Sequence, residues 1–236
     1  DHRDLHSFPT RRSSDLFSFV ADYLPKFISG LKLTIVLSVW AVIGATLIGI
    51  LVYWMRTSRF SILKVRPLWV VSTIFIEVMR GTPVLLQILI AFSGFKMMFG
   101  WDLSAANAVV LAITLNSSVY VSEIIRAGIQ AVDPGQEEAA RCLGMTRMQS
   151  MRLVIMPQAI KNILPALGNE FVSIIKGSSM AYVLGVGELT YSAKVVQGAT
   201  YLSLEPLMVS ALFYLVLTFT LGRMVSFAER RMKTCD

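Results

Sequence analysis

The sequence predicts an all-α membrane protein of about five transmembrane helices, and three observations carry that prediction. Hydrophobic residues make up 55% of the 236 and charged residues only 16%, whereas an ordinary soluble domain is about 25% charged. Leu33 to Met55 runs 23 residues without a charge, and a helix of about 20 apolar residues suffices to cross a hydrocarbon core. The net charge of +7 is not gathered in one patch. Lys and Arg sit between apolar runs, which is how membrane proteins set their orientation. The basic balance therefore does not argue for a nucleic-acid partner.

The elements follow in order. Asp1 to Leu16 is polar and aperiodic and lacks both a starting Met and the apolar stretch of a signal peptide. Ser7 to Leu16 resembles the conceptual translation of a common sequencing adapter. Residues 1–16 are therefore expected to be a non-native segment fused to a truncated gene, and 17–236 the membrane domain. Setting 1–16 aside removes three basic and three acidic residues and both histidines, His2 and His6. Five spans are then expected, at Pro25–Met55, Leu68–Phe95, Ser104–Val132, Met151–Val186 and Pro206–Ala228. Arg56, Arg59, Lys64 and Arg66 follow the first span, Arg141, Arg147 and Arg152 separate the third from the fourth, and Arg230, Arg231 and Lys233 follow the fifth. With five spans all three groups fall on one side. The positive-inside rule makes that side cytoplasmic, with the amino terminus outside and the carboxy terminus inside. No internal repeat of the kind common in secondary transporters is visible.

Between the third and fourth spans, Asp133 to Pro157 carries the local signals of two short helices. Asp133 suits an N-cap, Pro134 the first helical position, and Gln136 the partner position of a capping box. Gly144 suits the left-handed residue that ends a helix. Thr146 and Gln149 have the spacing of a second capping box. A helical hairpin standing off the membrane could dock a partner or merely link two spans.

Glu138-Ala139-Ala140, then Gly144, then Pro157, reproduces the spacing of the EAA loop of binding-protein-dependent ABC importer permeases, with Val154 and Met156 where the family usually has Ile and Leu. Arg80-Gly81-Thr82-Pro83 with Leu85, Leu86 and Gln87 resembles the signature of polar amino-acid permeases in that superfamily. Tyr120 to Gly128 and Asn169 to Ser179 resemble their third and fourth spans, although many relatives have an Asp-Thr pair where this chain has Gly177 and Ser178. The similarity covers Phe17 to Met232. It implies the type I ABC importer transmembrane domain, a multi-pass protein of the bacterial plasma (inner) membrane. By resemblance, Glu138, Ala139, Ala140, Gly144 and Pro157 belong to a coupling loop, 133–157, that docks on cytoplasmic ABC ATPase subunits. The other implied partners are a second permease subunit, an extracellular or periplasmic amino-acid-binding protein, and the amino acid itself.

Charged residues inside a span are expensive and normally pair or face a cavity. Glu77 with Arg80, and Glu123 with Arg126, have the i,i+3 spacing of one helix face, which suits structural ion pairs. Gly81 and Pro83 weaken the helix after Arg80, and irregular backbone at membrane depth needs protein or water beside it. Arg80, Gly81, Thr82, Pro83 and Gln87 are thus candidates to border a translocation path. Gly177-Ser178-Ser179 would permit a break between Glu170 and Lys176. Asn169, Glu170, Ser178 and Ser179 are candidate contacts for a zwitterionic substrate. Helix–helix hydrogen bonding explains each of them, and Asn116, Ser117 and Ser118, equally well.

Cys142 and Cys235 form no CxxC, and no metal site or catalytic constellation stands out. No Gly is followed directly by Lys, so the chain holds no P-loop; ATP and Mg would be bound by the partner ATPase. The competing expectation is an ion-coupled secondary amino-acid carrier with Glu123 or Glu170 as its proton site.

Overall fold

A computed structural model describes residues 18–58, 60–61 and 66–233. The adapter-like segment 1–16, Arg59, Lys64 and Cys235 lie outside the described residues. Those described are all-helical, without a strand.

Helix α1 (Phe19–Thr57) is 39 residues long, longer than the expected first span. One of its faces buries Gly30, Thr34, Ser38, Ala41, Ala45 and Gly49, small side chains three or four residues apart. Such a stripe lets two backbones approach closely. Along the later half of α1 the partner is α4 (Ala105–Gln130): a Cβ added to Gly44 would lie 2.8 Å from Thr114 Cγ2, and one on Gly49 would lie 2.7 Å from Val121 Cγ1, whereas Gly30 abuts Glu188 and Ser192. The hydroxyls on the stripe are satisfied within the helix, Thr34 donating to Gly30 O (3.0 Å) and Ser38 to Thr34 O (2.7 Å).

The expected second span is not one rod. It is α2 (Pro67–Gly81) and α3 (Val84–Phe99), which meet at 110°. Thr82 and Pro83 form the break in extended conformation. A proline ring clashes with the preceding turn of a helix and supplies no N–H.

Helix α4 is the central element. Ser104 caps it by accepting from Asn107 N, and its buried residues recur on nearly every face. After it come α5 (Pro134–Cys142) and the single turn α6 (Arg147–Ser150). The second helix expected in this loop does not stand alone. It runs through a π-helical turn, Met151–Ile155, into α7 (Met156–Gly177). Nor does α7 break after Lys176: it tightens into a 3₁₀ stretch, Ser178–Leu184, and stops at Gly185, whose φ is +72°. A further helix, α8 (Leu189–Thr200), fills what the sequence suggested was an external loop. Helix α9 (Glu205–Lys233) closes the chain against α7, where a Cβ on Gly168 would lie 2.5 Å from Val225 Cγ2.

Among the described residues three helices, α1, α4 and α9, are long and apolar enough to cross a membrane, and α2 with α3 qualify only as a pair. Helix α7, at 22 residues, is long enough but carries Lys161, Glu170 and Lys176. The expected five spans thus resolve into three apolar rods, one bent pair and one polar rod.

Gly49→Leu should separate α1 from α4 and destabilise the fold by about 1–3 kcal/mol. Gly94→Leu should not, because only Ile90 Cγ2, at 3.7 Å, approaches a Cβ there. Thermal unfolding of the detergent-solubilised variants compares the two.

Candidate functional site

At the α2–α3 break three freed backbone carbonyls, those of Val78, Met79 and Thr82, find side-chain partners. In an unbroken helix the N–H of residue 83 would bond Met79 O; Pro83 has none. Met79 O accepts instead from Gln87 Nε2 (3.0 Å) and from Asn116 Nδ2 (3.2 Å) of α4. Gln87 Nε2 also reaches Thr82 O (3.1 Å) and Thr82 Oγ1 (2.8 Å), and Thr82 Oγ1 donates to Val78 O (2.8 Å). Asn116 Nδ2 donates to Gln87 Oε1 (3.1 Å), closing the network. Thr82, Pro83 and Gln87 therefore act together, while nothing lies within 4 Å of where a Cβ on Gly81 would stand.

Beside the break is a cavity of about 290 Å³ between the start of α3, the middle of α4 and the end of α7. Asn116, Ser117, Tyr120 and Ser173 give its wall polar atoms, and Val84, Ile113 and Ile174 make the rest apolar. Glu170 lines it half-buried and has no ion-pair partner among the described residues. Gly177 leaves one wall open, since nothing lies within 4 Å of where a Cβ would stand. The other candidate contacts are not in the lining. Asn169 is exposed. Buried Ser178 donates to Ile175 O (2.8 Å), and Ser179 donates to Lys176 O (2.7 Å). Lys176 is exposed, away from Glu170.

Arg80 does not pair with Glu77. It crosses to α4, where its guanidinium carbon lies 5.8 Å from the centre of the Tyr120 ring and Nη2 lies 3.8 Å from Glu123 Oε1. Glu77 is exposed on the outer side of α2. The expected Glu123–Arg126 pair does form, through Nη2 (2.5 Å) and Nε (3.0 Å), and Arg56 of α1 joins it at 2.5 Å. One carboxylate thus serves three guanidinium groups.

In the 133–157 loop, Gly144 takes φ +84° with nothing near its Cβ position. Thr146 and Gln149 form the expected capping box. Asp133 caps α5 by accepting from Gly135 N (2.8 Å). Gln136 does not complete a box with it, because its Oε1 accepts from Gln158 of α7 (3.3 Å). Glu138 and Ala139 face outward, Ala140 is buried beneath them, and Pro157 begins α7.

Sequence reasoning missed a second polar centre at the far end of α1. Glu188 is fully buried and caps α8, accepting from Thr190 N (2.8 Å), Tyr191 N (2.7 Å) and Tyr214 Oη (2.8 Å). Glutamate is not among the preferred N-caps, so no local rule pointed to it.

A sequence profile for the family described as binding-protein-dependent transport system inner membrane component matches residues 45–234. The chain is 37% identical over 220 residues to the arginine transport system permease protein ArtQ of Bacillus subtilis, covering 93% of this chain and 98% of that one. To the glutamine transport system permease protein GlnP of Escherichia coli it is 35% identical over 211 residues, covering 89% and 94%. Among solved structures, an amino acid ABC transporter crystallised with histidines superposes with a TM-score of 0.85 at 48% identity, covering 91% of this chain and 98% of that chain. The MetNI methionine ABC transporter shares the fold at 15% identity, with a TM-score of 0.71, covering 89% and 97%.

Gln87→Ala should leave Met79 O with only Asn116 and Thr82 O with no side-chain donor. The expected loss is about 0.5–1.5 kcal/mol, the net worth of an ordinary hydrogen bond. It should appear as a lower unfolding temperature and faster proteolysis near residue 82, whereas Gln87→Glu, which cannot donate, should fare no better.

Proposed function

The chain belongs to the family of binding-protein-dependent transport system inner membrane components, and from that premise we propose that it is the permease subunit of an ATP-driven amino-acid importer, lining the substrate path and coupling to a separate ATPase. The observation that carries the coupling half of this reading is the loop. Helix α5 presents Glu138 and Ala139 outward, and Leu143 and Met148 beside the Gly144 corner are 81% and 75% exposed. Large apolar side chains on so polar a loop suit a surface that a partner covers. From that corner α6, the π turn and α7 run continuously. A push on the loop therefore reaches Glu170 in the cavity wall along one rod.

Two permease chains, like or unlike, enclose the path. Two ATPase subunits, which bind ATP and Mg, dock on the loops, and a binding protein delivers the amino acid at the opposite end. Closure of the ATPase pair drives the spans from inward-open to outward-open. The loop side is cytoplasmic and the amino terminus outside, in keeping with the arginines of the loop. An amino acid carries an ammonium and a carboxylate. Glu170 is the group in the cavity suited to the ammonium, and Arg80, stacked on the cavity's Tyr120, lends positive charge toward the carboxylate. The open wall at Gly177 leaves space for the side chain. Family membership gives no support to the ion-coupled carrier, and Glu123 already accepts from two arginines.

Gly144→Asp puts a side chain at a positive φ that costs about 1–2 kcal/mol to hold and turns α5 away from its docking direction. In proteoliposomes with the cognate ATPase and binding protein, insertion should be normal while ATP hydrolysis no longer drives uptake. Normal uptake by this variant would sink the coupling role. Glu170→Gln removes a charge-assisted contact worth about 1.5–3 kcal/mol, so half-saturation of transport should rise roughly tenfold or more while ATPase docking is unchanged.

A further inference from the structure

Of the arginine cluster around Glu123, the transport reading uses Arg80 and leaves Arg56 and Arg126 without a task. Arg56, Arg80 and Arg126 all lie within 4 Å of that one carboxylate, so the cluster keeps a surplus of positive charge. Next to it is a cavity of about 250 Å³ lined by Tyr53, Arg56, Thr57, Trp69, Arg126 and Gln130, with no acidic residue in the lining. Arg56 engages Glu123 through Nη1 alone, which leaves Nε and Nη2 as donors. Arg126 is braced by Gln130 Oε1, which accepts from Nη1 at 2.8 Å.

The position of this cup specifies its ligand further. Arg56 is in the last turn of α1, Trp69 in the first turn of α2, and Gln130 is the last residue of α4. The cup thus lies where three helices end together, at the level where hydrocarbon gives way to headgroups. Trp and Tyr are concentrated at that level in membrane proteins. Guanidinium forks match the geometry of phosphate oxygens, and basic pockets between membrane helices receive anionic headgroups.

We propose that the cup formed by Arg56, Arg126, Gln130, Thr57, Tyr53 and Trp69 is a phosphate-binding site. Two guanidinium groups take the phosphate oxygens, and the rings of Trp69 and Tyr53 flank the adjoining carbons; the Thr57 hydroxyl lines the cup but already donates to Tyr53 O. A phospholipid headgroup and soluble phosphate share this chemistry. The inference requires only that the chain is embedded in a membrane, and it is independent of what the chain transports.

The test uses the full chain purified in a mild non-ionic detergent. It is equilibrated with mixed micelles holding equal phosphatidylglycerol and phosphatidylcholine, and retained lipid is counted by native mass spectrometry, with and without millimolar inorganic phosphate. Gln130→Glu keeps the oxygen that braces Arg126 but cancels one positive charge. Glu123→Gln leaves one more charge uncompensated. Near a membrane one such charge is worth about fivefold in binding an anionic lipid. Retained phosphatidylglycerol should therefore fall about fivefold in Gln130→Glu and rise by a similar factor in Glu123→Gln. Preference for phosphatidylglycerol that survives inorganic phosphate identifies the lipid as the source. Thermal stabilisation by inorganic phosphate, weakened in Gln130→Glu and without lipid preference, identifies soluble phosphate. Neither response, or a response indifferent to Gln130→Glu, overturns the site.

Discussion

The structure depends on one constraint. A backbone carbonyl in hydrocarbon has no water to turn to, so any departure from the helix must be made good by protein. Pro83 creates such a departure within the α2–α3 pair, and Gln87 and Asn116 make it good. Because Asn116 comes from α4, the break can exist only where α4 runs beside it. The same helix then supplies Ser117 and Tyr120 to the cavity, Glu123 to the arginines and Gln130 to the cup at its end. Its close approach to α1 is in turn allowed by the small-residue stripe. Stitched break, cavity and charge cluster are thus successive levels of one helix.

The two ends of α7 depart from α-helical winding in opposite senses. The loop end is loosened into a π turn and the cavity end is tightened into a 3₁₀ stretch. Such irregular turns recur at functional positions in helices. Between them the rod is continuous, so the loop and Glu170 share one mechanical element although they are far apart in the membrane direction.

Local features were legible in the sequence. Thr146 with Gln149, Asp133 with Pro134, and the left-handed Gly144 are governed by neighbours within four residues, and each appears as expected. The apolar rods were legible from length and composition. Features set by a distant partner were not. Glu77 and Arg80 had suitable spacing, yet Glu123 on another helix captured Arg80. Gln136 was drawn away from its box by Gln158. Glu188 is buried between elements distant in sequence, with Gly30 of α1 against its backbone and Tyr214 of α9 donating to its carboxylate. The weak helix at Gly81 and Pro83 was visible, but its sharp angle depends on Gln87 and Asn116 together, which no local rule couples.

The bent pair also constrains how this protein is made. Helices α2 and α3 have 15 and 16 residues, each short of the roughly 20 needed to cross a bilayer, and they qualify as a span only when taken together. The insertion machinery therefore meets them as a single segment. Asn116 leaves the ribosome after that segment, so the carbonyl at Met79 gains its second donor only once α4 has followed it into the membrane. The bend that Pro83, Thr82 and Gln87 begin within one segment is thus completed only by assembly between spans.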